Sequence, residues 1–519
     1  MCKPCLQRTP LLGLSALMLL PALLGADCAQ RSQGPPPAGA PPLFAAVEEV
    51  RLDNGMLFLL LPRHDVPSIA ARILVKAGNV DNPPGDSGLA HMFEHLAFKG
   101  TDVMGALDAA AEAAVLDSIA ATGDALRQAL KAAVVDSARV AILAAEIAAL
   151  EARAAAYADA MAFFQLYDRF AYDYNARTGE DFTIYEATVP ANALEAWMLI
   201  ESERLQHTVF REFYAELEVV KEERRMRLSD SPEGMAWERM QTLAFGDHPY
   251  RNPTIGFAED LAALSPNLAR AFSATYYVPG NMVAALVGDF DPAVARRLID
   301  DYFGDMPPGP APPTIPMHVA PPVAQQRDLL HQGEERELLM AFPGFAPDSP
   351  QVPVARMLAE LLSRDATARL NRRLDLEAGV ARDIGVYADG GLERAPGMFV
   401  IAIDIMSGHS NEEAEALVWA ELQRLREELV PATKLAEIAA AERKGFVFGL
   451  QRNDGIADRL VRAQAGLGDW RQIYGSVAAY ATVTPEAVRS LAQVLFVPER
   501  ATVVYLEPEA PDAGEGGGE

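Results

Sequence analysis

Apolar and polar residues follow two patterns along this chain, and each pattern predicts a different element. Short apolar runs, such as SIAARILVKA at 68–77 and MVAALV at 282–287, predict buried strands. The stretch at 47–62 places apolar runs on both sides of Asp53, Asn54 and Gly55, which predicts a β-hairpin. Longer stretches with apolar residues at helical spacing alternate with these runs, so the pattern predicts an α+β protein.

A proline-rich segment divides the ordered part of the chain into two halves of similar size. Residues 306–326 are predicted to be a linker between an N-terminal domain at 47–305 and a C-terminal domain at 327–508. Each half closes with a β-run, and each mixes strands with amphipathic helices. We therefore expect two similar domains, each an antiparallel-rich sheet packed by helices.

The first 29 residues have the layout of a secretory signal peptide. Lys3 and Arg8 precede an apolar run at 11–24, and small residues follow it. The run is too short for a comfortable membrane span, which needs roughly 20 apolar residues. We expect export to the bacterial periplasm. The alternatives are an uncleaved N-terminal anchor and lipidation at Cys28, whose preceding Asp27 matches such a signal poorly.

Two further segments are predicted to lie outside the folded domains. Residues 30–46 are rich in proline and predict a mobile tether, with order beginning near Val47. Residues 509–519 are rich in Gly and Glu and predict a disordered tail.

An alanine-rich stretch at 105–161 differs in composition from the rest of the first half. Its Leu, Ile and Val residues recur at helical spacing, and Gly123 offers a break, so we predict an antiparallel helical hairpin. The simplest role is a decorative insertion in the first domain. The alternative is an interaction arm or a lid.

Charge and cysteine content exclude several classes of function. The chain carries 45 basic and 72 acidic side chains, a net charge of −27, which argues against nucleic acid as a main partner. The three cysteines, Cys2, Cys5 and Cys28, all lie near the N-terminus. The folded domains therefore have no thiolate metal site and no disulfide framework.

The stretch GLAHMFEHLAFKG at 88–100 contains the strongest chemical signal. His91 and His95 are four residues apart, so on a helix both imidazoles can face one metal ion. Glu94 shares that face and is placed to take a proton from the attacking water. This order inverts the commoner H-E-x-x-H motif.

A catalytic zinc site needs one more protein ligand, and the helix predicted at 213–227 offers four candidates. They are Glu216, Glu218, Glu222 and Glu223. Glu216 and Glu223 are seven apart and fall on one stripe of the helix. Spacing alone does not choose among the four, and a solvated, charge-paired face is the ordinary interpretation of such a helix.

Together these stretches resemble the pitrilysin/insulinase-type metallopeptidases, which include the mitochondrial processing peptidases. The resemblance runs through the motifs at 52–56, 88–101, 175–178, 218–227, 248–250 and 276–291. It implies one Zn²⁺ per chain, with His91, His95 and Glu223 as ligands. It also implies that Glu94 is the general base and that Glu216 is a supporting carboxylate needed for activity.

The resemblance also suggests how a substrate is held. An extended peptide would add to an edge strand running from Asn175 to Ile184, with Asn175, Ala176 and Thr178 as substrate-binding residues. For Asn175 a simple turn position is the alternative. Where relatives carry a glycine pair before this strand, the chain has FAYD at 170–173.

Large members of the family enclose substrate between two halves, and this chain corresponds to one half, so we expect a dimer. Active relatives carry an Arg and a Tyr in an L-R-x6-Y stretch of the non-zinc half. The corresponding stretch here, 374–382, has Asp375 and Arg382 at those places. A carboxylate cannot donate hydrogen bonds, which favours a heterodimer with a paralogue that lacks the zinc motif.

The function expected from these features is an exported zinc-dependent endopeptidase that cleaves peptides or unfolded segments. A non-catalytic, structural or chaperone-like subunit of the same family is the alternative from another class. A metal-dependent hydrolase of some other substrate is the third.

Overall fold

A computed structural model describes residues 42–315, 318–389 and 392–509. The predicted signal peptide, Cys28 and nearly all of the predicted tail lie outside the described residues. The same is true of most of the predicted tether.

Two sheets form the framework of the described chain. The first has six strands in the spatial order β1-β2-β6-β3-β5-β4, and the second has five in the order β7-β11-β8-β10-β9. The first-sheet strands are β1 Glu48–Arg51, β2 Leu57–Pro62, β3 Ser68–Val75, β4 Asp173–Thr178, β5 Thr183–Pro190 and β6 Met282–Gly288. The second-sheet strands are β7 Gln326–His331, β8 Arg336–Pro343, β9 Ala381–Ala388, β10 Met398–Ile405 and β11 Thr502–Glu507.

Each sheet contains one parallel pair, and the other neighbours are antiparallel. The predicted α+β class with two similar, antiparallel-rich domains is confirmed. The predicted hairpin at 53–55 is also present, because β1 pairs with β2 and Gly55 has a φ of 97°. That left-handed conformation favours glycine.

Sixteen α-helices cover the sheets in the described residues. In the first half they are α1 Leu89–Leu96, α2 Ala109–Leu130, α3 Ser137–Ala154, α4 Ala162–Tyr167, α5 Leu194–His207, α6 Phe213–Arg224, α7 Pro232–Phe245, α8 Ala258–Ala262, α9 Pro266–Tyr276 and α10 Pro292–Phe303. In the second half they are α11 Val352–Ser363, α12 Asn411–Glu427, α13 Ala432–Gly449, α14 Asn453–Leu467, α15 Ile473–Tyr480 and α16 Pro485–Leu495. No helix among the described residues combines the length and apolarity needed to cross a membrane.

Each half contributes one helix to the core of the other half. Helix α14 of the second half packs on β3 and β6 of the first sheet, where Leu460 joins a core with Leu59 and Val287. Helix α7 of the first half packs on β8 and β11 of the second sheet, where Met240 is fully buried. Each sheet therefore completes its core with a helix from the other half.

The predicted linker joins the halves without a helix or strand between α10 and β7 among the described residues. Its first residue, Met306, is buried in the core of the first sheet. Ile315 and Val319 are partly buried against the core of the second sheet. The segment is thus irregular chain that three apolar side chains hold against the two cores.

The end of the predicted tether is ordered, which corrects the sequence-based boundary. Pro42–Ala46 forms a 3₁₀ helix, and Phe44 is only 3% exposed. The Phe44 ring lies 6.3 Å from the rings of both Phe446 and Trp470, in the second half. Burial of this aromatic side chain outweighs the disorder that the preceding prolines and glycines predict.

The helical hairpin is present, but its turn was predicted at the wrong place. Helix α2 continues through Gly123, and the turn follows it at 131–136. A Cβ atom at Gly123 would lie 2.2 Å from the Tyr214 hydroxyl, so this glycine makes room for a side chain of α6. The glycine signals a close contact between two elements rather than a helix break.

Candidate metal centre

The apolar face of helix α1 packs into the core of the first sheet and so positions the helix. Its polar face carries the candidate ligands. The helix follows Gly88, whose φ is 85°, and a Cβ there would lie 2.5 Å from the Ile255 carbonyl oxygen. Its buried core residues are Leu89, Ala90, Met92, Phe93 and Leu96. His91, Glu94 and His95 share the remaining face, as their spacing predicts.

Helix α6 brings a carboxylate to the two imidazoles. His91 Nε2 lies 3.9 Å from Glu223 Oε1, and His95 Nε2 lies 3.5 Å from Glu223 Oε2. One ligand atom from each of these three residues lies within 4.8 Å of the other two. Three side chains from two helices therefore converge on one point.

The structure distinguishes the four glutamates that the sequence offered. Glu216 faces the site but contacts the outer nitrogen of His95, with Oε1 2.9 Å from Nδ1. Glu218 and Glu222 are exposed, and each pairs with a basic residue three positions later in the chain. Of the four, Glu223 alone belongs to the converging set of His91 and His95.

The donor set and its surroundings fit a zinc ion. Two imidazole nitrogens and one carboxylate are the protein ligands of many catalytic zinc sites, and a carboxylate on the far nitrogen of a ligating histidine orients its ring. Glu216 occupies that place on His95. The Nδ1 atom of His91 is buried without a hydrogen-bond partner among the described residues.

The two imidazoles differ in their protonation. Burial, and then the neighbouring His95, lower the pKa of His91 to about 4, so this ring is neutral, which is the form that binds a metal. Burial also opposes the charge on His95, but hydrogen bonds with Glu216 and Glu223 outweigh it and raise its pKa to about 9. A metal ion at this site would replace the His95 proton as the positive partner of Glu223.

Glu94 is not one of the three converging residues, and its environment suits an exchange of protons. Its side chain is 9% exposed, and burial raises its pKa. The Thr178 hydroxyl donates a hydrogen bond of 2.6 Å to Glu94 Oε2. A raised pKa brings a carboxyl group closer to the range in which it exchanges protons at neutral pH.

The predicted edge strand is shorter than expected. Strand β4 lies at the edge of the first sheet and ends at Thr178, whereas Ile184 belongs to its neighbour β5. The Gly179 amide donates to the Phe182 carbonyl across the intervening turn, 2.9 Å apart. Asn175 is thus a strand residue of β4, which packs beside α1.

The three residues predicted to bind substrate do not share one surface. Successive strand side chains point to opposite faces, so Ala176 and Thr178 face the core side while Asn175 faces away. Ala176 is 6% exposed and belongs to the core of the first sheet. Thr178 contacts Glu94, and Asn175 is exposed. The outer backbone edge of β4 has no partner strand among the described residues.

The sequence-based prediction did not include two charged residues near the site. Lys99 Nζ lies 2.6 Å from Glu216 Oε2 and 3.2 Å from Glu212 Oε2. Arg227 Nη1 lies 2.8 Å from Glu223 Oε1. Each cation follows a site residue by four positions, and this spacing could have identified them.

A cavity of about 450 Å³ opens beside Arg227, between the two halves. It is lined by acidic residues, including Glu180 and Asp389, and by aromatic residues, including Trp237. Burial raises the pKa of Glu180 to about 8 even though Asn79 donates a hydrogen bond to it.

The arrangement at the candidate metal centre is typical of one class of protein, the metallopeptidases with an inverted zinc motif. It consists of two histidines, a glutamate between them and a carboxylate from a second helix. The model described as "Insulinase (Peptidase family M16)" matches residues 59–125, which include α1. The model described as "Peptidase M16 inactive domain" matches residues 263–442. The chain belongs to this insulinase-type peptidase family.

Individual relatives agree with this assignment. Zinc protease PqqE of Helicobacter pylori is 26% identical over 296 residues, which are 56% of this chain and 52% of that protein. The aligned region thus spans about half the length of that relative.

Solved structures show the same fold. The crystal structure of a protease from Helicobacter pylori has a TM-score of 0.75 at 20% identity and covers 89% of this chain and 99% of its own. The first half of the periplasmic protease PqqL from Escherichia coli has a TM-score of 0.65 at 17% identity, covering 89% and 92%. The two-domain arrangement is therefore shared with proteases of this family.

Proposed function

We propose that this protein is an exported zinc-dependent endopeptidase that cleaves peptides or unfolded segments. One zinc ion per chain would be held by His91, His95 and Glu223. The observation that carries the proposal is the convergence of these three side chains beside Glu94, which is buried and is not one of the converging ligands. The relatives named zinc proteases support it.

The chemistry follows from the placement of Glu94. A bound zinc ion would polarise the scissile carbonyl and acidify the attacking water. Glu94 would accept the proton of that water and return it to the leaving amine. Thr178 holds the carboxylate in place through one oxygen, which leaves the other oxygen available for the proton. Glu216 and Lys99 would hold the His95 ring in its ligating orientation.

Strand β4 would bind the substrate backbone. Its outer edge has no partner strand among the described residues, and it lies beside α1. An extended peptide could add to this edge through main-chain hydrogen bonds from the segment that contains Asn175 and Ala176. Recognition of this type depends little on substrate side chains, which suits a degrader of unfolded peptides.

We also propose that the protein works in the bacterial periplasm. The signal-like segment at 1–29 supports export. The relative PqqL of Escherichia coli, described as a periplasmic protease, is consistent with the same compartment.

A dimer, and specifically a heterodimer with a zinc-less paralogue, remains our proposal for the active assembly. Asp375 is exposed and offers only acceptor oxygens. Arg382 is engaged with Glu335, at 2.7 Å, and with Asp404, at 3.2 Å. Neither residue supplies the Arg and Tyr pair that the family resemblance implies, so a partner would supply it.

The complete set of ligands and base supports catalysis over the non-catalytic alternative. A quenched-peptide library tests this, with the mature protein assayed before chelation, after chelation and after zinc is restored. Glu94→Gln should lower kcat by at least about a hundredfold while the zinc content stays normal. Glu218→Gln, an exposed change on α6, is the matched control. Peptide cleavage by Glu94→Gln at the control rate would contradict the proposed role of Glu94.

A further inference from the structure

Helix α6, which carries Glu216 and Glu223, lacks an N-terminal cap of its own. Its N-cap residue is Glu212, with a φ of 51°, and this side chain makes no capping hydrogen bond. Among the described residues, Glu212 is the single non-glycine residue with a positive φ. The first amides of a helix need acceptors from elsewhere, and an anion there also interacts favourably with the helix dipole.

The helical hairpin supplies the missing acceptor. Glu151 on α3 accepts a hydrogen bond of 2.8 Å from the Tyr214 backbone amide, and the neighbouring Ala215 amide also favours the ionised form of this carboxyl group by lowering its pKa. These are the second and third residues of α6, the positions that an N-cap side chain normally serves. The Tyr214 ring packs against the inner faces of both α2 and α3.

The hairpin also holds the chain that leaves α1. Glu112 on α2 is 2% exposed and pairs with Arg211, whose Nη2 lies 2.9 Å from Glu112 Oε2. The same guanidinium donates to the carbonyls of Lys99, Thr101 and Met104 at 2.6–2.9 Å. A buried arginine with this many acceptors fixes the loop that follows α1.

The chain that enters α1 is held as well. Asp86 is buried three residues before α1, and its carboxylate pairs with Arg127 at 2.7 Å and Lys131 at 2.9 Å, both near the end of α2. Lys131 also donates to the Gly85 carbonyl at 2.7 Å. The hairpin therefore contacts the chain that enters α1 and the start of α6 directly, and it reaches the chain that leaves α1 through Arg211. A purely decorative role does not agree with these contacts.

We propose that the hairpin at 105–161 is a clamp that sets the position of α6 relative to α1, with Glu151 as a positioning residue for the metal centre. The inference rests on the proposed metal site. Glu151 acts through the backbone of α6 and would touch neither metal nor substrate. Without it, the first turn of α6 loses its acceptor, and Glu216 and Glu223 lose their fixed distance from the imidazoles.

The test uses Co²⁺ as a probe of the proposed metal site in the mature protein, because Co²⁺ gives visible absorption bands that report on its coordination. The variants are Glu151→Ala, which removes the acceptor, and Glu151→Gln, which keeps an acceptor oxygen without the charge. The control is Glu146→Ala, an exposed residue of the same helix. Co²⁺ affinity, the absorption spectrum and the melting temperature are measured for each protein.

Glu151→Ala should bind Co²⁺ about tenfold more weakly than wild type and show an altered spectrum, as for loss of other supporting contacts at metal sites. Glu151→Gln should fall between Glu151→Ala and wild type, and Glu146→Ala should match wild type. If Glu151→Ala does not fold, the comparison of Glu151→Gln with the control decides. Wild-type affinity and spectrum in every folded Glu151 variant would overturn the clamp. Failure of the wild-type protein to bind Co²⁺ would overturn the metal site itself, which separates the two failures.

Discussion

The Thr178 hydroxyl donates a hydrogen bond of 2.6 Å to Glu94 Oε2, which joins the last residue of the edge strand β4 to the proposed base on α1. One side chain thus links the element proposed to bind peptide with the element proposed to activate water. A peptide paired to β4 would lie beside the residue that orients the base.

Removal of this contact should affect turnover more than binding. We expect Thr178→Val to lower kcat about tenfold with little change in KM, because Glu94 loses a hydrogen bond to its charged form. Thr178→Ser keeps the hydroxyl and should retain most of the activity. Steady-state kinetics on one peptide would decide. Equal kcat for Thr178→Val and wild type would show that the contact does not serve the reaction.

The choice among the glutamates of α6 can be tested by metal content. Glu223→Ala should lose bound zinc, because it removes one of three converging ligands. Glu222→Ala should retain zinc, because Glu222 is exposed and pairs with Arg225 at 2.8 Å. Metal analysis after dialysis against a weak chelator gives the comparison. Equal zinc in both proteins would show that Glu223 is not a ligand.

Stability should depend on pH through Glu180. The folded protein keeps this carboxyl protonated up to its pKa of about 8, whereas the unfolded chain releases the proton near the ordinary value of 4.5. Unfolding between these values releases a proton, so the free energy of unfolding should fall as pH rises from about 5 to 8.

Glu180→Gln removes this titration and should flatten the pH dependence over the same window. Urea unfolding at several pH values, with exposed Glu218→Gln as the control, measures the slopes. Identical slopes for wild type and Glu180→Gln would mean that Glu180 is ionised in the folded protein throughout the window.

The exchange of helices between the halves predicts that they stay together without a covalent link. A specific protease site inserted after Ala311, in the exposed part of the linker, should give two fragments that co-elute in gel filtration. The reason is that α14 and α7 each complete the core of the opposite sheet. Leu460→Asp, which places a charge in the core shared with the first sheet, should separate the cut fragments. Separation of the fragments without this substitution would contradict the prediction.

Local spacing was enough to predict the face of α1 that carries the candidate ligands, but not which glutamate of α6 faces it. His91, Glu94 and His95 lie within five residues, and helical geometry alone puts them on one face. Glu216, Glu218, Glu222 and Glu223 occupy one short helix, and the choice depends on which of its faces packs toward α1. That direction is set by Phe213, Leu217 and Val220, which are buried in the core of the first sheet.

Other errors had the same cause. Gly123 looked like a helix break because the sequence does not show that Tyr214 approaches it from another element. The predicted substrate-binding role of Thr178 stays a prediction, but its hydrogen bond to Glu94, 84 residues away, was not foreseen. The composition around Phe44 predicted a mobile tether. Its partners, Phe446 and Trp470, lie in the opposite half of the chain, so the local sequence does not show that Phe44 is buried.

The sequence by itself determined the α+β class, the division into halves, the first hairpin and the two imidazoles with their adjacent glutamate. These features depend on residue spacing within one element or on composition along a segment. The family resemblance implied Glu223 among the four glutamates, and only the tertiary structure placed its carboxylate near both imidazoles. Only the tertiary structure showed that Thr178 contacts Glu94 and that Glu151 accepts a hydrogen bond from the start of α6. Each of these contacts depends on the distance and direction between separate elements. The packing of the shared cores sets that distance and direction, and the local order of residues does not encode it.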